Sequence, residues 1–101
     1  MERSSREDGF MYSKKTVVAN KTGFHARPAA DLVLRAKEFK AAVTIRNLDT
    51  DNKTLINAKS IMNIMAAAIK MGTNIEIAAE GEDEVKAVEE LVKLIESGFA
   101  E

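Results

Sequence analysis

From Lys15 onward the apolar residues of this chain switch repeatedly between a period of two and a period of about 3.6, and that switching limits the folds open to it. Thr16-Val17-Val18-Ala19 is a β-branched run ended by Asn20 and Gly23, which predicts a first strand. Ala29, Leu32, Val33, Ala36 and Phe39 then recur at helical spacing. Val43 and Ile45 alternate with polar neighbours, Asp49-Thr50-Asp51-Asn52 is a turn cluster, and Thr54-Leu55-Ile56 returns as a strand, so the two strands form a hairpin. Ser60 heads a helical run over Ile61 to Lys70 that Gly72 stops, with Ile64 and Ala68 on its core stripe. Ile75, Ile77 and Ala79 make a fourth strand. Val85, Val88, Leu91, Val92 and Ile95 make a third helix, closed by Gly98. The order β-α-β-β-α-β-α implies an α+β open sandwich, one sheet with helices on a single face.

Length admits one small domain, 101 residues. Met1 to Phe10 is polar, charged and without period, and Met11 could serve as a second start. Residues 1–12 are therefore expected to be a disordered extension and residues 13–101 the domain. Fifteen basic residues against sixteen acidic ones leave a formal charge of −1, which argues against nucleic-acid and membrane-surface binding. No cysteine is present, so thiolate catalysis, disulfides and Cys-ligated metals are excluded and a reducing cytoplasm is expected. One histidine without cysteine also argues against a transition-metal site. The apolar stretch Ile61 to Ile69 is too short to span a bilayer, and no apolar leader precedes the domain.

The single histidine lies in Gly23-Phe24-His25-Ala26-Arg27-Pro28-Ala29-Ala30, between the first strand and the first helix. On its own a lone histidine is more often a surface or core residue than a functional one. Here Gly23 frees a turn and Pro28 suits a first helical turn, where no N–H is needed. His25 thus stands at a helix N-terminus, where the free amides of Ala26 and Arg27 can face an anion and the dipole favours negative charge. Arg27 adds a guanidinium able to pair with phosphate oxygens. Because a residue before proline prefers extended geometry, Arg27 is expected to delay the helix by a residue or two. The arrangement suits a phosphorylated imidazole. Acyl transfer would need an orienting carboxylate, and none is recognisable nearby.

These residues carry a family resemblance. Thr22-Gly23-Phe24-His25-Ala26-Arg27-Pro28-Ala29-Ala30 is similar to the active-site signature of HPr, the histidine-containing phosphocarrier family of the bacterial sugar phosphotransferase system. Asn57-Ala58-Lys59-Ser60-Ile61-Met62 resembles that family's second signature, around a regulatory serine, and Glu80-Gly81-Glu82-Asp83-Glu84 before the last helix also matches. The resemblance spans roughly Lys14 to Phe99. It implies a βαββαβα open-faced sandwich: a four-stranded, mainly antiparallel sheet with three helices on one face. It also implies phosphorylation of His25 on Nδ1, with Arg27 as the phosphate partner. Enzyme I, charged by phosphoenolpyruvate, would be the donor and IIA domains of sugar permeases the acceptors. Such a protein is a monomeric cytoplasmic carrier that needs no cofactor and turns over no substrate of its own.

Ser60 reads locally as a helix N-cap. The resemblance adds a regulatory phosphoserine, made by an HPr kinase/phosphorylase and read by a catabolite-control transcription regulator. The two roles are compatible, because a phosphate at an N-cap gains from the helix dipole. Ile61, Met62 and Met65 spread away from the core stripe, and methionine adapts to varied surfaces, so they form the expected docking patch. Three features depart from the family pattern: Asn63, a longer hairpin over Asn47 to Thr54, and Asp31, a negative charge one turn past the histidine. Glu82 to Glu84 and Glu89-Glu90 read as solvated helix faces. The competing readings are a regulatory or nitrogen-type relay relative and, in another class, a small adaptor or RNA-binding module without phosphotransfer. The latter lacks the basic face and stacking aromatics it would need.

Overall fold

Alternate side chains of Asn74–Glu80 are buried, with Ile75, Ile77 and Ala79 turned inward, and this is the pattern of a strand covered on one face. In the computed structural model, which describes residues 11–51 and 54–100, that strand has neighbours on both sides. The elements are β1 (Met11–Val17), α1 (Ala26–Ala36), β2 (Ala42–Asn47), β3 (Ile56–Asn57), α2 (Ile61–Ala66), β4 (Asn74–Glu80) and α3 (Glu84–Glu96), followed by a short 3-10 turn at Gly98–Ala100. The sheet order is β1-β4-β2-β3 and every pairing is antiparallel. Three helices cover one face of these four strands, so the chain is the open-faced sandwich expected from the sequence.

The core lies between the helices and that face. Leu32, Ile45, Ile64, Ile75, Ile77, Leu91 and Ile95 are fully buried in it. Each such side chain gives up roughly 1.5–3 kcal/mol of hydration cost, which is why the periodic apolar positions dictate the layering. Two polar clasps fix the corners. The Asp83 carboxylate accepts the backbone N–H groups of Lys40 and Ala41, both at 2.8 Å, tying the start of α3 to the entry of β2. Along the other edge, the Tyr12 hydroxyl donates to Glu89, Lys14 pairs with Glu89, and the Thr16 hydroxyl donates to Glu96 at 2.7 Å, fastening β1 to α3.

Several expectations need correction. β1 begins at Met11, so Met11 and the buried Tyr12 belong to the sheet and not to an extension; residues 1–10 lie outside the described residues. The pre-proline preference does not delay α1, which starts at Ala26 with Arg27 already helical, because the Ala29 N–H closes onto the His25 carbonyl at 2.8 Å. β3 is confined to Ile56–Asn57. The second helix ends at Ala66 instead of Lys70. Ala68 takes a left-handed φ of 52° and is exposed, while Ile69 turns into the core and is 3% exposed. Burial of Ile69 outweighs one further turn of helix. The acidic runs are not simply solvated: Glu84 is buried and its carboxylate accepts the Gly81 N–H, Glu89 binds Tyr12 and Lys14, and Glu90 pairs with Arg35 at 3.2 Å.

Candidate functional site

His25 is the N-cap of α1, with extended backbone (φ −73°, ψ −174°), and its side chain makes no capping hydrogen bond. The imidazole is exposed, as are Ala26 and Arg27, while Pro28 behind them is buried. No acidic residue stands in the first turn of α1, so nothing there offsets the positive end of the helix. An exposed ring thus caps a helix whose first turn carries Arg27 and no acidic residue, which suits an anion covalently attached to the ring.

The backbone behind the histidine is tightly held. Residues 20–23 form a turn closed by Gly23 N–H to the Asn20 carbonyl at 3.1 Å. Gly23 has φ 64°, and a Cβ there would meet the Ile69 carbonyl oxygen at 2.4 Å, so both conformation and close approach demand glycine. The Phe24 N–H donates to that same carbonyl at 3.0 Å. Phe24 is buried, and its ring meets Phe99 edge-on, with centroids 6.0 Å apart at 87°. Phe99, with Ala100, Arg27, Pro28 and Asp31, lines a small cavity of about 130 Å³ along the first turns of α1, without His25 among its walls. Asp31, flagged by the sequence as an unusual charge, thus shares a wall with Arg27. A larger hollow of about 420 Å³ lies between the 47–56 hairpin and α2, lined in part by Leu55, Asn63 and Ala67, and His25 is not among its walls. The imidazole lies on the surface at the helix end and lines neither hollow.

Ser60 is the N-cap of α2, its hydroxyl accepting the Asn63 N–H at 3.1 Å, as its local sequence predicted. Asn63 is drawn into the same cap, its side-chain oxygen accepting the Asn57 N–H at 3.4 Å. Ile61, Met62 and Met65 are exposed at 42%, 80% and 41%, while Ile64 is fully buried, so the apolar surface and the core stripe occupy different sides of α2. Sequence reading missed two contributors to the histidine's setting. Asn20 signals only a strand end, although its side chain binds the turn that leads to His25. Phe99, near the C-terminus, carries no periodic signal; only the sequence-distant aromatic Phe24 gives it a role. Among the described residues no cluster of His, Cys, Asp and Glu could hold a metal ion, and no helix is long and apolar enough to cross a membrane.

The family model described as the PTS HPr component phosphorylation site matches residues 12–97. The phosphocarrier protein HPr of Haemophilus influenzae is 41% identical over 85 residues, covering 84% of this chain and 95% of that protein. A multiphosphoryl transfer protein of the same organism is also 41% identical over 85 residues and 84% of this chain, which spans only 17% of its length. The HPr-like protein Crh of Bacillus subtilis is 42% identical over 86 residues, 85% of this chain and 96% of Crh. Among solved structures, HPr-C-His from Thermoanaerobacter tengcongensis superposes with a TM-score of 0.80 at 43% identity, covering 88% of this chain and 96% of that one.

Proposed function

Since the chain belongs to the HPr family of phosphocarrier proteins, we propose that it is a phosphoryl relay of the sugar phosphotransferase system, accepting the group from phospho-enzyme I on His25 and passing it to IIA domains of permeases in the cytoplasm. The observation that carries this reading is an exposed imidazole at the uncapped N-terminus of an 11-residue helix, with Arg27 two residues on. The Nδ1 lone pair forms the new N–P bond as the donor's bond to phosphorus breaks, its electron pair returning to the donor. The ring proton stays on Nε2. Helix amides and the Arg27 guanidinium then face the phosphoryl oxygens, stabilising charge that is already present and charge that develops during transfer. No turnover chemistry is required of the carrier: it is substrate in one step and donor in the next.

Ser60 fits the role of a regulatory phosphoserine. Its hydroxyl oxygen lies at the head of α2, next to the exposed Ile61, Met62 and Met65 that we assign to docking on enzyme I and IIA domains. The similarity to Crh supports a second reading, an HPr-like protein with a regulatory task. His25 favours the relay, because a purely regulatory protein has no need of an exposed ring at this position.

Incubation with enzyme I and phosphoenolpyruvate, followed by intact mass in acid and in neutral buffer, tests the relay. The label should be acid-labile and base-stable, as a phosphoramidate is. His25→Ala should abolish it while leaving the fold intact, since the side chain is exposed. A label that persists undiminished on His25→Ala would refute His25 as acceptor.

A further inference from the structure

Asn20 is 3% exposed, three residues beyond Val17, the last residue of β1 paired with β4. Its Nδ2 donates to the Gly23 carbonyl at 2.7 Å, a fully buried bond, and to Thr22 Oγ1 at 3.2 Å. Its Oδ1 is buried too, and no donor among the described residues meets it. A buried amide satisfied at one end only is a poor device for stability, since an apolar side chain of the same shape would avoid the unmet oxygen. Such half-satisfied groups concentrate where geometry matters more than stability.

What the Nδ2 group holds is the start of a short strap. From Gly23 the chain runs through Phe24 directly to His25. Each residue of that strap is fixed from a different direction: Gly23 by the Asn20 side chain and by its approach to Ile69 and Lys70, Phe24 by its N–H bond to Ile69 and its ring contact with Phe99. The orientation of the Gly23 carbonyl is thus tied to a side chain, the buried Asn20 amide. Rotation of that peptide would tilt the Phe24 backbone and swing the imidazole relative to the Ala26 and Arg27 amides. We propose that Asn20 is a positioning residue for phosphoryl transfer at His25, acting through the Gly23 carbonyl without touching the phosphoryl group. This rests on the relay reading above.

The test measures enzyme I-dependent labelling of the full chain under saturating and subsaturating conditions for Asn20→Ala, Asn20→Leu and Ile45→Val. Leucine matches asparagine in shape but donates nothing; Ile45→Val lowers stability inside the sheet, away from the turn. For both Asn20 variants kcat should fall at least about tenfold, since small displacements of a reacting group are costly, while KM stays within about twofold because the docking surface is untouched. Exchange of the Phe24 amide, protected by Ile69, should quicken in both. Ile45→Val should keep wild-type kcat. Wild-type kcat in a folded Asn20→Leu would overturn the proposal, as would a fall in kcat that Ile45→Val reproduces at equal loss of stability. Failure of both Asn20 variants to fold would make the residue structural and overturn it as well. If the wild-type chain takes no label from phospho-enzyme I, the relay reading falls and this proposal with it. A labelled wild type beside an unaffected Asn20→Leu removes only the positioning role.

Discussion

Arg27 already has helical backbone one residue into α1, so its guanidinium emerges from the same turn whose amides are proposed to face the phosphoryl group. Its distance from His25 along the chain is short and its backbone is ordered by the helix, which lowers the entropy lost when it engages an anion. Removal of the charge should slow transfer, and reversal should do so further. Arg27→Ala is expected to reduce the labelling rate, with Arg27→Glu slower again by at least about tenfold, because a carboxylate opposes the charge of the transferring group. Quench-flow labelling of the two variants against wild type, with urea melts alongside, separates transfer from folding. Equal rates in all three proteins would remove Arg27 from the site. Asp31 shares the small cavity with Arg27.

Elements act through their ends. Ser60 caps α2 and sits beside an exposed apolar patch, so a charge added there meets the helix dipole favourably and a docking partner unfavourably. Ser60→Asp should therefore slow phosphorylation of His25 by at least about tenfold while changing stability by less than about 1 kcal/mol. Stopped-flow labelling and urea melts read the two effects separately; unchanged labelling would leave Ser60 as a cap alone. At the start of α3, the Lys40 N–H bond, helped by that of Ala41, holds the Asp83 carboxyl below its ordinary range. The Tyr12 hydroxyl does the same for Glu89 on the middle of that helix. A carboxyl whose pKa is lower folded than unfolded contributes stability that is complete above the unfolded value and is lost as pH falls through the folded one. Acidification from neutrality to below the usual carboxylate range should thus loosen both clasps. Asp83→Asn should be less stable than wild type near neutrality, and the gap in urea midpoint should narrow as the wild-type carboxylate is protonated. A constant gap across that range would show that the clasp does not depend on charge.

At the scale of the whole molecule, the site is assembled from sequence-distant pieces: the 20–25 strap, the 69–70 segment after α2, and the C-terminal turn with Phe99. Phe99→Ala should cost roughly 3 kcal/mol, since a large ring that is 8% exposed leaves a cavity when truncated. It should also slow transfer, because Phe24 loses its edge-on partner next to His25. Paired melts and labelling rates check this; a less stable variant that transfers normally would confine Phe99 to the core. The layering and the helix N-termini at His25 and Ser60 were legible in the sequence, because hydrophobic period, turn residues and capping preferences are local properties that neighbouring residues specify. The early start of β1, the break at Ala68 and the bonds made by Glu89 and Glu90 were not, because each depends on a partner distant in sequence: β4 and α3 for the first strand, the strap for Ile69, and Tyr12 and Arg35 for the acids. By itself the sequence determined most of the core positions, though not Tyr12 or the exposure of Ala68, and that a histidine stands at a helix end with an arginine two residues on. Only the tertiary structure decided how that histidine is held, since the Asn20 amide, the Ile69 carbonyl and the Phe99 ring converge on its backbone through packing that no local pattern encodes.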